Sequence, residues 1–256
     1  MVQTTRRIRE YLRIIDVVIE VVDARIPHSG RAPLLERLAA QRARFVALNK
    51  EDVADPATTR LWLDELARRG AQAIAIDGRK RGSVARLASA IEAFSRRDGR
   101  AAKVARAMIV GVPNSGKSTI VNALLRRAAA KTEDRAGVTR QTQWFRLAPN
   151  IEVMDTPGVL SPSVSAAAAW KLAICGAVPH NRYDPAEVAG AFHSWLVERR
   201  PRTRVPDLQT FAAERGFVGR GGAIDYHNAA RSYISGFNDG VFGRISLEDP
   251  DDAETA

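Results

Sequence analysis

Residues 111–119 read GVPNSGKST, a match to G-x-x-x-x-G-K-[ST]. Gly111 and Gly116 permit a tight turn whose backbone N–H groups face phosphate oxygens. Lys117 can reach the β- and γ-phosphates of a nucleotide, and the Ser118 hydroxyl can ligate Mg²⁺. A helix beginning here would turn its positive N-terminus to the anion. Downstream, DTPG (155–158) closes an apolar run. Asp155 at a strand end is placed as a second Mg²⁺ anchor, and Gly158 can give its N–H to the γ-phosphate. Between them lies DRAGVTRQTQW (134–144), where Thr139 follows a Gly-Val turn and is the candidate for binding Mg²⁺ and sensing the γ-phosphate. Lys117, Thr139 and Gly158 form the expected catalytic set; Ser118, Thr139 and Asp155 form the expected Mg²⁺ set.

A second constellation precedes the first. LNKED (48–52) carries N-K-x-D at the end of an apolar run. Asp52 can accept two hydrogen bonds from guanine N1–H and N2–H₂; adenine cannot supply that pattern, and the unpaired carboxylate would reject it. Asn49 can brace the neighbouring loops, and the alkyl stem of Lys50 can cover one face of the base. In AIDGRK (75–80), the backbone at Asp77 and Gly78 is placed to brace the guanine carbonyl, although the Ser-Ala pair common there is absent. With Asn114, Ser115, Gly116, Lys117, Ser118 and Thr119, these residues complete the expected nucleotide-binding set. Either short motif alone would fit an ordinary strand-to-helix turn. Together they contain every part of a GTP site in rotated order, with the base-reading half ahead of the phosphate-reading half. The reading is a circularly permuted P-loop GTPase domain.

These motifs need strand ends to hold them. Buried strands are expected at 16–24, 44–50, 71–77, 105–112 and from residue 150 into DTPG. Helices are expected between them: one over 55–70 with Asp55 as N-cap, Pro56 at its first position and Gly70 at its end; one capped by Ser83; and one following the phosphate loop. Strands alternating with helices predict an α/β fold, a mostly parallel sheet with helices on both faces. Beyond about residue 178 helical patterns take over. The expected organisation is a GTPase domain over 1–177 and a small helical, RNA-contacting domain over 178–256.

Composition narrows the setting. The 256 residues carry 39 Lys and Arg, only six of them Lys, against 29 Asp and Glu, a net charge of +10. That excess favours a polyanionic partner. No apolar run approaches the ~18 residues of a membrane span. The Arg-rich start lacks the apolar core of a signal peptide, and a mitochondrial presequence fits it poorly. The single cysteine, Cys175, forms no internal disulfide and, with four scattered histidines, no zinc site. It reads as a small buried apolar residue, and a cytoplasmic location is expected.

At this point the chain resembles the ribosome biogenesis GTPase A family. The resemblance is carried by VVDARIPHSGRAP (21–33), LNKED, GVPNSGKST, DRAGVT (134–139) and DTPGVL (155–160). It continues through KLAICGAV (171–178) and GGAIDYHNAARSYISGFNDGVFGRISLE (221–248). Two other permuted ribosomal GTPase families carry a zinc module that one cysteine cannot support. The resemblance implies GTP/GDP and Mg²⁺, with K⁺ at Asn114 supplying the positive charge an arginine finger gives elsewhere. It also implies binding to the maturing large ribosomal subunit through its rRNA, and a monomer is expected. Arg199, Arg200, Arg202, Arg204, Arg220 and Arg231 are the candidate phosphate contacts. Family members carry Trp-Phe-Pro-Gly-His-Met, whose histidine is implicated in hydrolysis; the sequence given starts at Met1, matching the last residue of that motif. Val159 is not a water-orienting glutamine, and His28 reads as a surface loop residue. The alternative is a nucleotide-gated RNA-binding factor with little hydrolysis.

Overall fold

Branched apolar residues fill the first two strands, and such runs are buried on both faces of a sheet. In the computed structural model, residues 8–39, 42–97, 104–132, 143–148, 151–155, 166–217 and 223–253 are described. Thr139, Gly158, Val159 and Arg220 lie outside them. The first part of the chain runs β1 (Val17–Asp23), α1 (Pro33–Leu38), β2 (Ala43–Asn49), α2 (Pro56–Arg68), β3 (Gln72–Ile76) and α3 (Arg81–Arg97). It continues with β4 (Ala105–Val110), α4 (Lys117–Thr132), β5 (Gln143–Ala148) and β6 (Ile151–Asp155). Helices α5 (Ala166–Ile174), α6 (Pro185–Arg199), α7 (Leu208–Glu214) and α8 (Tyr226–Asn238) follow.

The six strands form one sheet in the order β3-β2-β1-β4-β6-β5. All neighbours are parallel except β5, which pairs antiparallel with β6 at the edge. The parallel register sets Asp23 beside Asn49, Asn49 beside Ile76, and Ile109 beside Asp155, so the motif residues gather at the carboxyl edge. Strand order runs outward from β1 to β3, then returns to the other side of β1 with β4. Ligands of open α/β sheets bind outside the carboxyl ends at such a reversal.

Both faces are covered. Val17, Ile19 and Val21 join Val84, Leu87 and Ile91 of α3 and Ile120 and Leu124 of α4 in one core cluster. Val22, Val46 and Leu48 pack with Trp62 and Leu66 of α2 on the opposite face. On that side Val18, Met108, Val110 and Met154 also meet the C-terminal helices. Phe192 of α6, Phe211 of α7 and Tyr233 and Phe237 of α8 make edge-on ring contacts at the centre of those helices. Such pairs contribute about 0.5–1.5 kcal/mol each beyond their burial.

Three local features differ from the sequence expectations. Ser83 is not an N-cap: α3 begins at Arg81, and the Ser83 Oγ instead accepts from the Asp77 N–H at 2.9 Å. The chain turns into α3 earlier because the Lys80 N–H donates to the Asp77 carbonyl and Val84 N–H to that of Lys80. The strand β5 was not anticipated; Phe145 and Leu147 point into the core while Trp144 and Arg146 stay outside, the alternation of an edge strand. Residues 8–12 form a short helical stretch that buries Ile8 and Leu12 at the i, i+4 spacing of one face, with Ile15 buried in the turn beyond it.

Candidate functional site

Asn49 closes β2 and is 3% exposed. Its Nδ2 donates to the Ser115 carbonyl at 2.8 Å, and its Oδ1 accepts from the Gly78 N–H at 2.9 Å. One side chain therefore ties the phosphate loop, the base-reading loop and the loop after β3. The fit tolerates no extra atoms: a Cβ on Gly116 would stand 2.0 Å from Asn49 Nδ2, and one on Gly78 would stand 2.9 Å from Ile120 Cγ1. Gly116 has φ +91° and Asn114 φ +57°, the left-handed steps that turn successive N–H groups inward. Gly111 is equally confined, its Cβ position lying 2.6 Å from Ser115 Oγ and 2.7 Å from the Val21 carbonyl.

The phosphate loop delivers its functional groups at the start of α4. Lys117 Nζ lies 2.7 Å from Asp155 Oδ1 at the end of β6. Sequence reading places both on the phosphates and the metal; the structure brings them together. Ser118 and Thr119 are exposed in the first turn of α4. A hydroxyl and one carboxylate are hard oxygen donors, a set that suits Mg²⁺ completed by phosphate and water. Among the described residues no group of three or more His, Cys, Asp or Glu side chains could hold a metal alone. Asn114 is exposed, and its Nδ2 donates to the Gly176 carbonyl at 2.6 Å, joining the phosphate loop to the segment after α5.

On the base-reading side, the Asp52 carboxylate is paired with the guanidinium of Arg79. That pair is solvent-facing and contributes little, so a base offering two aligned donors can displace it or share the carboxylate. Asp77 is buried, which alone would raise its pKa; the N–H of Arg79, at 3.0 Å from Oδ1, and the nearby Lys80 lower it instead. Lys50 has φ +65°, and its ammonium sits 2.8 Å from Asp23 Oδ2.

Asp23 and Arg79 were not assigned roles from sequence. Their signal was present in an acidic residue closing a strand in VVDAR and an arginine two residues after Asp77. Arg25 is fully buried and grips Asp23 with two bonds, Nε to Oδ1 at 3.0 Å and Nη2 to Oδ2 at 2.8 Å. Burial would raise the Asp23 pKa, but Arg25 and Lys50 hold it well below the carboxylate range. Burial pushes the Cys175 thiol up to about 12, leaving it an inert neutral side chain, as its reading as an apolar filler implies.

The chain's last described segment returns to this region. Arg244 Nε donates to the Ala54 carbonyl at 2.8 Å, and its Nη2 donates to that of Glu51. The Ile245 N–H donates to the Val53 carbonyl at 3.1 Å. Glu248 accepts from the backbone of His28 and Ser29, while its carbonyl accepts from Trp62 Nε1 at 2.9 Å. A cleft of about 400 Å³ lies between Lys50 and Asn114 on one wall and His180, Tyr183 and Arg231 on the other. Of the candidate RNA contacts, Arg199, Arg202, Arg204 and Arg231 are exposed, whereas Arg200 pairs with Asp249 at 3.4 Å.

Comparison with known proteins shows what the fold and the chain as a whole are similar to. The family described as 50S ribosome-binding GTPase matches residues 106–180. Ribosome biogenesis GTPase A of Priestia megaterium is 34% identical over 99% of this chain and 96% of its own length. The structure of GNP-bound YlqF from T. maritima superposes with TM-score 0.74 at 28% identity, covering 97% of this chain and 98% of that one. A GDP-bound YlqF structure gives TM-score 0.74 at 29% identity over 96% of this chain and 100% of that one.

Proposed function

The chain belongs to the ribosome biogenesis GTPase A family, and from that premise we propose that it binds the large ribosomal subunit precursor through rRNA and assists its maturation in a GTP-controlled cycle. It is a guanine-nucleotide-binding, GTP-hydrolysing enzyme of ribosome biogenesis. The observation that carries the reading is the pair of hydrogen bonds at Asn49, which donates to the Ser115 carbonyl and accepts from the Gly78 N–H, holding the loops assigned to guanine and to phosphate against each other.

In this reading Asp52 accepts from the guanine edge, the Lys50 stem covers its face, and the backbone at Asp77 and Gly78 meets its carbonyl. The N–H groups of residues 114–119 cradle the phosphates. Lys117 leaves Asp155 for the β- and γ-phosphates, so the nucleotide exchanges one internal ion pair for charge-assisted contacts. Ser118, Thr139 and Asp155 would hold Mg²⁺, and Asn114 K⁺; these cations would neutralise charge developing on the phosphates. A water attacks the γ-phosphorus, the bond to the β–γ bridging oxygen breaks, and GDP and phosphate leave. Thr139 and Gly158 sense the γ-phosphate. Gly158 leads into the C-terminal helices, which couples nucleotide state to the domain from residue 178 onward.

That domain offers Arg199, Arg202, Arg204, Arg220 and Arg231 to RNA phosphates, with the chain acting as a monomer in the cytoplasm. Among the described residues no helix is long and apolar enough to cross a membrane. Co-sedimentation with purified large-subunit precursors tests the proposal. Binding is expected with a non-hydrolysable GTP analogue, weaker binding with GDP, and a steep loss as salt rises. Binding that is insensitive to both nucleotide and salt would refute it.

A further inference from the structure

The lysine assigned to the guanine face is held by a chain of buried groups that ends in a different part of the molecule. Lys50 Nζ is 2.8 Å from Asp23 Oδ2. Asp23 is gripped by the Arg25 guanidinium, and the Arg25 N–H adds a third bond to Oδ1 at 3.0 Å. Arg25 Nη2 also donates to Asn238 Oδ1 at 2.9 Å, at the last residue of α8. The Asn238 amide is itself oriented, its Nδ2 donating to the carbonyls of Ile174 at 2.7 Å and Ile234 at 2.9 Å. The Phe237 ring packs 4.6 Å beneath the guanidinium. Among the described residues Arg25 Nη1 has no hydrogen-bond partner, so Asp23 and Asn238 together supply every hydrogen bond the guanidinium makes.

We infer that Arg25 and Asn238 are positioning residues for guanine: through Asp23 they fix Lys50, and the seating of α8 against the sheet thereby sets nucleotide affinity. The inference rests on Lys50 covering the base, as proposed above. The physical reason is that a lysine stem covers a ring only if its flexible four-carbon chain is pinned at the far end, and Asp23 is that pin. An Asp23 carboxylate that rotates away releases it. Arg25 blocks the rotation, and Asn238 fixes the plane of the Arg25 fork. By linkage, any ligand that moves α8 changes guanine affinity by the factor through which the nucleotide changes that ligand's affinity.

The test is a double-mutant cycle read with fluorescent N-methylanthraniloyl-GDP. Asn238→Leu keeps the size and removes the acceptor; it should weaken GDP by about tenfold, the scale of one hydrogen bond to a charged group. Pyrophosphate, which lacks the base, should bind as before. GTP turnover should show a raised KM with little change in kcat. In a Lys50→Ala background the same substitution should have less than about a twofold effect. Equal weakening of GDP and pyrophosphate, an undiminished effect in the Lys50→Ala background, or unchanged GDP affinity would each overturn the inference. If Asn238→Leu fails to fold, the unmutated chain supplies the reading: amide exchange over residues 234–240 should slow with GDP and not with pyrophosphate. Identical exchange with and without GDP would overturn it.

Discussion

At the scale of single residues, Gly116 is the position with least latitude. A side chain there meets both a left-handed backbone and Asn49 Nδ2 at 2.0 Å. Gly116→Ala should therefore break the Asn49 bridge and lower GTP and GDP affinity by at least about tenfold, measured by equilibrium titration. Asp52→Ala removes an anionic acceptor of two hydrogen bonds, and GTP affinity should drop by about a hundredfold or more, with no gain for ATP. A smaller loss would mean that Asp52 does not read the base. The residues of these two arguments were legible from their spacing because each motif fixes its own backbone. Asp23 and Arg25 were not: their partners Lys50 and Asn238 lie far along the chain, and only the register of β1 against β2 and the placement of α8 bring them together.

The elements were legible to the degree that their signals are local. Asp55-Pro56 marks the start of α2, and the structure confirms it: Asp55 Oδ1 accepts from the Thr58 N–H at 2.7 Å. Asp55→Ala should cost about 1 kcal/mol in chemical denaturation, because one orphan amide of the first turn loses its partner. The same residue's own N–H donates to Ser246 Oγ at 3.0 Å, so capping and tail docking share a position. Ser83 looked like a cap but is spent on the Asp77 N–H, a competition that sequence spacing does not reveal. The edge strand β5 escaped notice because its exposed face carries Trp144 and Arg146, which break the continuous apolar run that marks the inner strands.

Across the whole molecule, the sheet and C-terminal helices share one apolar cluster, and the buried Asp23–Arg25 ion pair at the end of β1 reaches α8 through Asn238. The pair gives a pH signature. The folded Asp23 pKa lies below its unfolded value of about 3.9, so its contribution is complete above that value and disappears as pH falls through the folded one. Thermal unfolding midpoints should hold between pH 7 and 5 as far as Asp23 is concerned, then fall below about pH 4. Asp23→Asn should lower stability at neutral pH by about 3–5 kcal/mol, since it strands the Arg25 charge, and should flatten the acid limb. The rotated motif order made the permuted GTPase fold legible; how closely residues 244–245 would be bound to the base-reading loop, through Arg244 and Ile245, had no sequence signal.

The most direct measurement is GTP turnover by this chain in K⁺ and Mg²⁺ buffer, with and without purified large ribosomal subunits. The account predicts turnover that rises with subunit concentration to saturation and is competed by GDP but not by ATP. Turnover indifferent to the subunits, or equal for ATP, would contradict it.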